Sequence, residues 1–395
     1  MIPKVVIVGI GFTSRLGMIR AVAETGAVID VIVVGHGQFK PVDCYSKYVH
    51  RYYYVKGNDK DKVLQILQEQ CAEPNRKSIL IPINDFAATV IDQNIDILKE
   101  HFLFPHIHER QGAVTEWMNK EKQKEVAKKV GLEVANSVNV ELKDGNYRLP
   151  EGIKYPCFTK TRAYTKGYKF TLNRCDDEVA LRKVLDRLAS WHRPLTIMVE
   201  DFKEIESEYA VVGFSDGKEV VIPGILEILV MAKGDDKGVA CQGKVMPISG
   251  FEELVEKFKQ MILTICFVGL FDIDFYLSKG EYYFSEINLR MGGSATAVLK
   301  MGVNLPAMFV RSQLGKSIDD MEKQIRGVAT YVNERICSDN WGAGYITKRE
   351  MQELFSSSDI SFVKDEQDRE PEKMFKWEVR KIFIKKTIKK CLKKK

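Results

Sequence analysis

Residues 271–290 read FDIDFYLSKGEYYFSEINLR, and the fold turns on how this stretch is read. Two apolar runs flank a Ser278-Lys279-Gly280-Glu281 turn, which is the pattern of two strands in one hairpin. Alternation along the strands sets Asp274 on one face and gathers Glu286, Asn288 and Arg290 on a single face. Two carboxylates and an amide oxygen are hard oxygen donors suited to Mg²⁺. The arginine adds a planar donor for a phosphate or carboxylate. Such polar groups on an otherwise apolar hairpin are costly in a plain core. The plainer reading is a solvated sheet face carrying salt bridges. Met291-Gly292-Gly293-Ser294 follows, where small residues let backbone N–H groups approach an anion. The same tetrapeptide also suits an ordinary loop.

Upstream, the first ~115 residues alternate strand and helix like a parallel α/β unit. KVVIVGIG is a continuous apolar strand, RLGMIRAVAETG a helix with a glycine stop, and VIDVIVVG a second strand. The helix DKDKVLQILQEQC, the strand SILIPIND and the helix FAATVIDQNIDILKEH follow. Gly9-Ile10-Gly11-Phe12-Thr13-Ser14 after strand one has Ser14 where a dinucleotide fingerprint needs a third glycine, and no acid closes strand two. A nicotinamide cofactor is therefore disfavoured. Next come a basic helix (EWMNKEKQKEVAKKVGL), a strand KYPCFTKTR, a capped helix and the strand LTIMVEDF. From 208 the pattern is β-rich, with a hairpin signal at FSDGKEV.

The 395 residues exceed one compact core, so two or three domains are expected. No apolar run approaches the roughly 18 residues that cross a bilayer. The N-terminus lacks a signal peptide's basic flank and cleavage site, so export is not expected. Eight cysteines lie far apart with no CxxC pair, which indicates neither a zinc site nor a redox dithiol and fits a reduced, cytoplasmic compartment. The net charge of +6 is uneven: residues 371–395 carry eleven Lys/Arg against two Glu, so the preceding body is slightly acidic.

SEINLRMGGS strongly resembles the metal-binding E-x-N-x-R signature of ATP-grasp ligases. The nearest likeness is to the carbamoyl-phosphate-synthase-like branch, and within it to D-aspartate-ligase-like carboxylate–amine ligases. The resemblance covers residues 1–315, with specific matches confined to the stretches quoted. It implies an ATP-grasp fold, mixing α/β and α+β, with an N-terminal parallel α/β domain (1–115). A middle subdomain (116–207) carries the phosphate loop and a C-terminal subdomain (208–355) carries the metal site. A linker and basic amphipathic tail (356–395) complete the chain.

The resemblance also assigns residues. Met118-Asn119-Lys120 makes Lys120 a phosphate contact, and Phe158-Thr159-Lys160 makes Lys160 the α/β-phosphate ligand. The loop from Ala163 to Lys169 holds only Gly167, where many members have three or four glycines. Glu200-Asp201-Phe202 matches the adenine clamp, and Glu208, or its neighbour Glu206, the ribose carboxylate. Asp274, Glu286 and Asn288 would hold Mg²⁺, with Mn²⁺ as a substitute. Arg290 and Lys160 would act catalytically, and Arg290, Gly292, Gly293, Ser294, Ser14 and Asp85 would meet substrate, with Arg15 and Asn84 beside them. Each has a bland alternative: Lys120 a surface charge, Glu200 a strand end, Asn84-Asp85 a loop cap. Their joint order along the chain favours the functional reading.

The implied activity joins a small carboxylate to an amine at the expense of ATP, through an acyl phosphate. The tail WEVRKIFIKKTIKKCLKKK sets an apolar stripe among lysines, which suits an anionic membrane surface through residues 377–395 and a cell-wall or surface-polysaccharide precursor as acceptor. A disordered solubilising tail or an RNA contact is the alternative, although nucleic acid is not the expected partner. The location expected is the cytoplasm, at the inner membrane face if the tail binds there. A dimer is compatible with the sequence. Two other functions stay open: a free amino-acid or dipeptide ligase, and a nucleotide-binding regulator without turnover.

Overall fold

The computed structural model describes residues 2–37, 40–161, 171–234 and 238–392, with side chains to Ile384. The expected phosphate loop, including Gly167, lies outside the described residues. The chain forms two compact units: one comprises Met1–Thr115, Tyr209–Ile273 and Asn288–Lys395, the other Glu116–Glu208 and Asp274–Ile287.

In the first unit, five parallel strands lie in the spatial order Val49–Lys56, Val28–Gly35, Lys4–Gly9, Ser78–Pro82, Phe102–Leu103. Lys4–Gly9 is buried along its whole length, which explains its unbroken apolar run. Val5 and Ile7 pack with Met18, Ile19 and Val22 of the helix Phe12–Ala23. Val6 and Val8 pack on the opposite face with Val63 and with Ala87, Val90 and Ile91 of the helix Asp85–Asp92. The sequence reading missed Val49–Lys56: it is an edge strand in which only Val55 is fully buried, so no apolar alternation marks it.

A second, mixed sheet includes Ala329–Val332, Ala240–Met246 and Ile225–Met231 as antiparallel neighbours. The hairpin expected at FSDGKEV is present, with Phe214 opposite Val221. The expected linker after Ser356 is instead packed structure. Ile360–Ser361 pairs in parallel with Ala329–Val332, and Phe362 stacks on Tyr331 at 5.2 Å. The buried Asp368 carboxylate accepts from Arg20 Nε at 3.1 Å and from the Lys47 amide at 3.0 Å. The helix Glu370–Leu392 lays Phe375 on Phe12 at 5.8 Å. These apolar anchors form two short groups, Ile360 to Val363 and Met374-Phe375, separated by a charged stretch and too sparse to show as a period.

In the second unit, four antiparallel strands lie in the order Asn173–Cys175, Cys157–Thr161, Leu195–Asp201, Ser137–Leu142. The helix Glu178–Ala189 covers one face with Leu181, Leu185 and Leu188, and Asp177 caps it by accepting from the Ala180 amide. Cys157 and Cys175 sit in this core, where burial pushes the Cys157 thiol up to about 12. The segment Asp274–Ile287, grouped in the sequence reading with 208–355, belongs to this unit. Tyr283 pairs in parallel with Glu133, and Gln123 bonds both the amide and the carbonyl of Ile287.

Candidate functional site

In the second unit, the helix Lys120–Lys129 begins where the Asn119 side chain accepts from the Glu121 amide. Residues four apart share a helix face, so Lys120 and Lys124 project together. On the sheet, Lys160 stands opposite Met198 and Phe158 opposite Glu200, which puts the Lys160 and Glu200 side chains on one face. The three groups meet: Glu200 Oε1 lies 2.9 Å from Lys160 Nζ and also accepts from Lys124 Nζ. Lys124 further donates to Ala135 O at 2.9 Å and Ser137 Oγ at 3.2 Å. Lys120 is ion-paired with Glu286.

Burial alone would raise the Glu200 pKa, but Lys160 and Lys124 outweigh it and hold the carboxyl below the ordinary glutamate range. Burial lowers Lys124, with the opposing pull of Glu200 only partly offsetting it. Burial opposes the charge on Lys120 as well, yet Glu286, with smaller contributions from Glu200 and Asp274, raises it above the usual lysine value.

Glu200 therefore serves as counter-ion to two lysines. The Asp201 and Phe202 amides donate within the chain, to Asn136 O and Pro156 O, so a purine held there would have to meet carbonyl oxygens. Arg174 covers the Phe202 ring at 4.4 Å. A cleft of about 190 Å³ lies against Asp201, lined also by Val138, Ile153 and Val199. Glu206 accepts from the Lys279 amide at 2.6 Å, and Glu208 lies in the strand Ser207–Asp216. Sequence reasoning passed over Lys124; its only signal was the four-residue spacing from Lys120.

In the first unit, Arg290 donates from Nε to Asp85 Oδ1 at 2.9 Å and from its guanidinium to Asn288 Oδ1 at 3.1 Å. Asp272 stands 3.9 Å from the same guanidinium. Asp85, expected to meet substrate, is thus an arginine partner at the first turn of its helix. Asn84 is that helix's cap, accepting from Ala87 N at 3.4 Å and from Ile10 N at 3.3 Å. A Cβ on Gly292 would come within 2.0 Å of the Asp272 carboxylate, and one on Gly293 within 3.0 Å of Ser14 Oγ. Ser14 and the Gly292-Gly293 turn are therefore brought together, and Ser294 begins the helix Ala295–Lys300. Arg15 is no cleft residue: it is buried in a bidentate pair with Asp43 and donates to Gly9 O at 2.9 Å.

Along the strand Glu281–Asn288, Glu286 and Asn288 are half-buried on one face and Ile287 is buried on the other. A carboxylate and an amide two residues apart are the hard donors Mg²⁺ takes, although the ion would have to replace Lys120 as counter-charge to Glu286. Among the described residues, no three or more His, Cys, Asp or Glu side chains are grouped to hold a metal. The expected set contains an asparagine and so is not such a group.

No protein-family model matches the chain. Over 199 residues, 50% of this chain, it is 25% identical to the carbamoyl phosphate synthase large chain of Gemmatimonas aurantiaca, of which it covers 18%. Over 207 residues it is 23% identical to the C-terminal section of that large chain from Aquifex aeolicus, of which it covers 38%. The chain thus spans well under half the length of these curated relatives. Among solved structures it is similar to the N5-carboxyaminoimidazole synthetase of Staphylococcus aureus complexed with ADP. The TM-score is 0.65 at 17% identity, over 89% of this chain and 86% of that one. It is also similar to an L-amino acid ligase from Bacillus licheniformis, with TM-score 0.60 at 16% identity over 84% and 79% of the two chains. Biotin carboxylase from Campylobacter jejuni in complex with β-γ-ATP gives TM-score 0.62 at 16% identity over 83% and 74%. By its mixed architecture and these likenesses, the chain has an ATP-grasp fold and is similar in sequence to part of the carbamoyl phosphate synthase large chain.

Proposed function

We propose that the protein is an ATP-dependent carboxylate–amine ligase. The observation that carries this reading is the lysine–carboxylate cluster, in which Glu200 is shared by Lys124 and Lys160 while Lys120 pairs with Glu286. Phosphoryl transfer depends on positioning and charge, so no protein nucleophile is required. Lys120 and Lys160 would offset the charge of the nucleotide phosphates, with Glu200-Asp201-Phe202 and Glu208 toward adenine and ribose. Magnesium, when bound, would neutralise the β- and γ-phosphates, and Asp274, Glu286 and Asn288 would hold it. A substrate carboxylate oxygen bonds the γ-phosphorus as the bond to ADP breaks, giving an acyl phosphate. The amine then bonds the acyl carbon, phosphate leaves and the amine gives up a proton. Arg290 and the backbone amides of Gly292, Gly293 and Ser294 would steady the developing oxyanion, with Ser14 and Asp85 beside them.

For the acceptor, the helix Glu370–Leu392 supports an amine on a membrane-bound cell-wall or surface-polysaccharide precursor, since Trp377, Phe383 and Ile384 are exposed among its lysines. Val379 and Ile382 of the same stripe instead pack toward Trp341 and Met351. The likeness to an L-amino acid ligase favours a second reading, a ligase of free amino acids.

The test is ADP release by the purified protein across a panel of amino acids and other carboxylates, each with and without amines. Release that needs both substrates, lost in Lys160→Ala and Glu286→Gln, is the expected outcome. Full turnover in both variants would defeat the site, and ATP binding without release across the panel would favour a non-catalytic regulator.

A further inference from the structure

The nucleotide reading gives Lys160 a task and leaves Lys124 without one. Yet Lys124 is the more deeply committed of the two. Its three hydrogens are matched by Ala135 O, Ser137 Oγ and Glu200 Oε1, so it has no donor left for a ligand. Lys160 has Glu200 as its ion-pair partner, on the same Oε1 that Lys124 engages. Two ammonium groups and one carboxylate leave this buried trio with a net charge of +1.

A carboxylate bound to Lys160 alone would form a neutral pair and cancel the attraction that Lys160 could offer an anion. We propose that Lys124 is a positioning residue for the nucleotide site, which holds the Glu200 carboxylate from the helix side and so keeps Lys160 available to phosphate. The inference rests on the proposed function, because it assumes that Lys160 meets the nucleotide. It assigns Lys124 no contact with ligand: its effect passes through Glu200.

Removing the Lys124 charge hands Glu200 wholly to Lys160, and anion affinity falls. Removing Glu200 as well frees Lys160 again, and affinity returns. A lysine that only supported the fold would cost the same in both backgrounds. Full-length wild type, Lys124→Met, Glu200→Gln and the double variant can be titrated with ADP and with ATP in the presence of Mg²⁺, by calorimetry at fixed ionic strength. Lys124→Met is expected to weaken nucleotide binding by at least about tenfold, a modest share of what one charge contributes at a few ångströms. The double variant is expected to bind within about threefold of Glu200→Gln, inside the usual tolerance of such cycles. Should Lys124→Met not fold, Lys124→Gln keeps donors toward Ala135 and Ser137, lacks the charge and carries the same expectation. Wild-type affinity in the charge-removed variant would overturn the proposal, as would an equal loss in both backgrounds. Absence of nucleotide binding by wild type would overturn the proposed function itself, and with it the ground for this inference.

Discussion

The resemblance takes Glu200 as part of an adenine clamp, and its surroundings in the fold make it an ion-pair partner as well. It is an ionised carboxylate between two lysines, its folded pKa depressed because Lys160 and Lys124 outweigh the cost of burial. Stability from such a group is present above the unfolded glutamate pKa, about 4.3, and is lost as pH falls through the folded value. Melts from about pH 7 to about pH 3 should therefore show an acid destabilisation that is shallower in Glu200→Gln. At neutral pH that variant should lose about 3 kcal/mol, the usual result of orphaning one side of a buried pair. An unchanged acid slope would mean that Glu200 is not ionised in the cluster. Gly292 yields a second expectation. A methyl group there would meet the Asp272 carboxylate at 2.0 Å, and Asp272 in turn borders Arg290. Gly292→Ala should cost about 1–3 kcal/mol as an overpacked site and should impair turnover more than nucleotide binding. Equal activity in wild type and variant would show that Asp272 can move without consequence.

At the scale of elements, the hairpin and the parallel strands were readable because periodicity reports burial directly. Val5–Val8 is apolar throughout because helices cover both faces of its strand, and in Glu281–Asn288 the half-buried Glu286 and Asn288 stand out on one face against the buried Ile287 on the other. Two elements escaped that logic. The edge strand Val49–Lys56 fully buries only Val55, and the segment beyond Ser356 is held by scattered anchors. The strongest of these is the buried pair of Arg20 and Asp368, in sequence 348 residues apart. Nothing local in the sequence links those two positions. Asp368→Ala should cost about 3 kcal/mol or more by leaving Arg20 charged and buried without its partner. Limited proteolysis should then cut the chain after Ser356 sooner than in wild type. Equal digestion would show that the terminal helix is held by its apolar contacts alone.

For the molecule as a whole, the order of motifs along the chain carried more than any one of them. Lys120, Lys160, Glu200, Asp274 and the E-x-N-x-R strand are scattered over roughly 170 residues, and chain order was the signal that joined them. The counter-ion partners were hidden because pairing across strands and helices depends on register: Lys124 to Glu200 and Asp85 to Arg290 have no sequence signature. The basic tail belongs to this scale also. Deleting residues 377–395 should abolish co-sedimentation with vesicles rich in anionic lipid while leaving ADP release on soluble substrates intact; equal sedimentation would leave the tail no membrane role.

In the proposed reaction a carboxylate is activated by the γ-phosphoryl group. Once a turning-over acid is in hand, its carboxylate can be labelled with ¹⁸O and the released phosphate analysed by mass spectrometry. Inorganic phosphate carrying one ¹⁸O from the acid, formed together with ADP, is the expected product. Unlabelled phosphate, or AMP and pyrophosphate in place of ADP, would contradict that reaction.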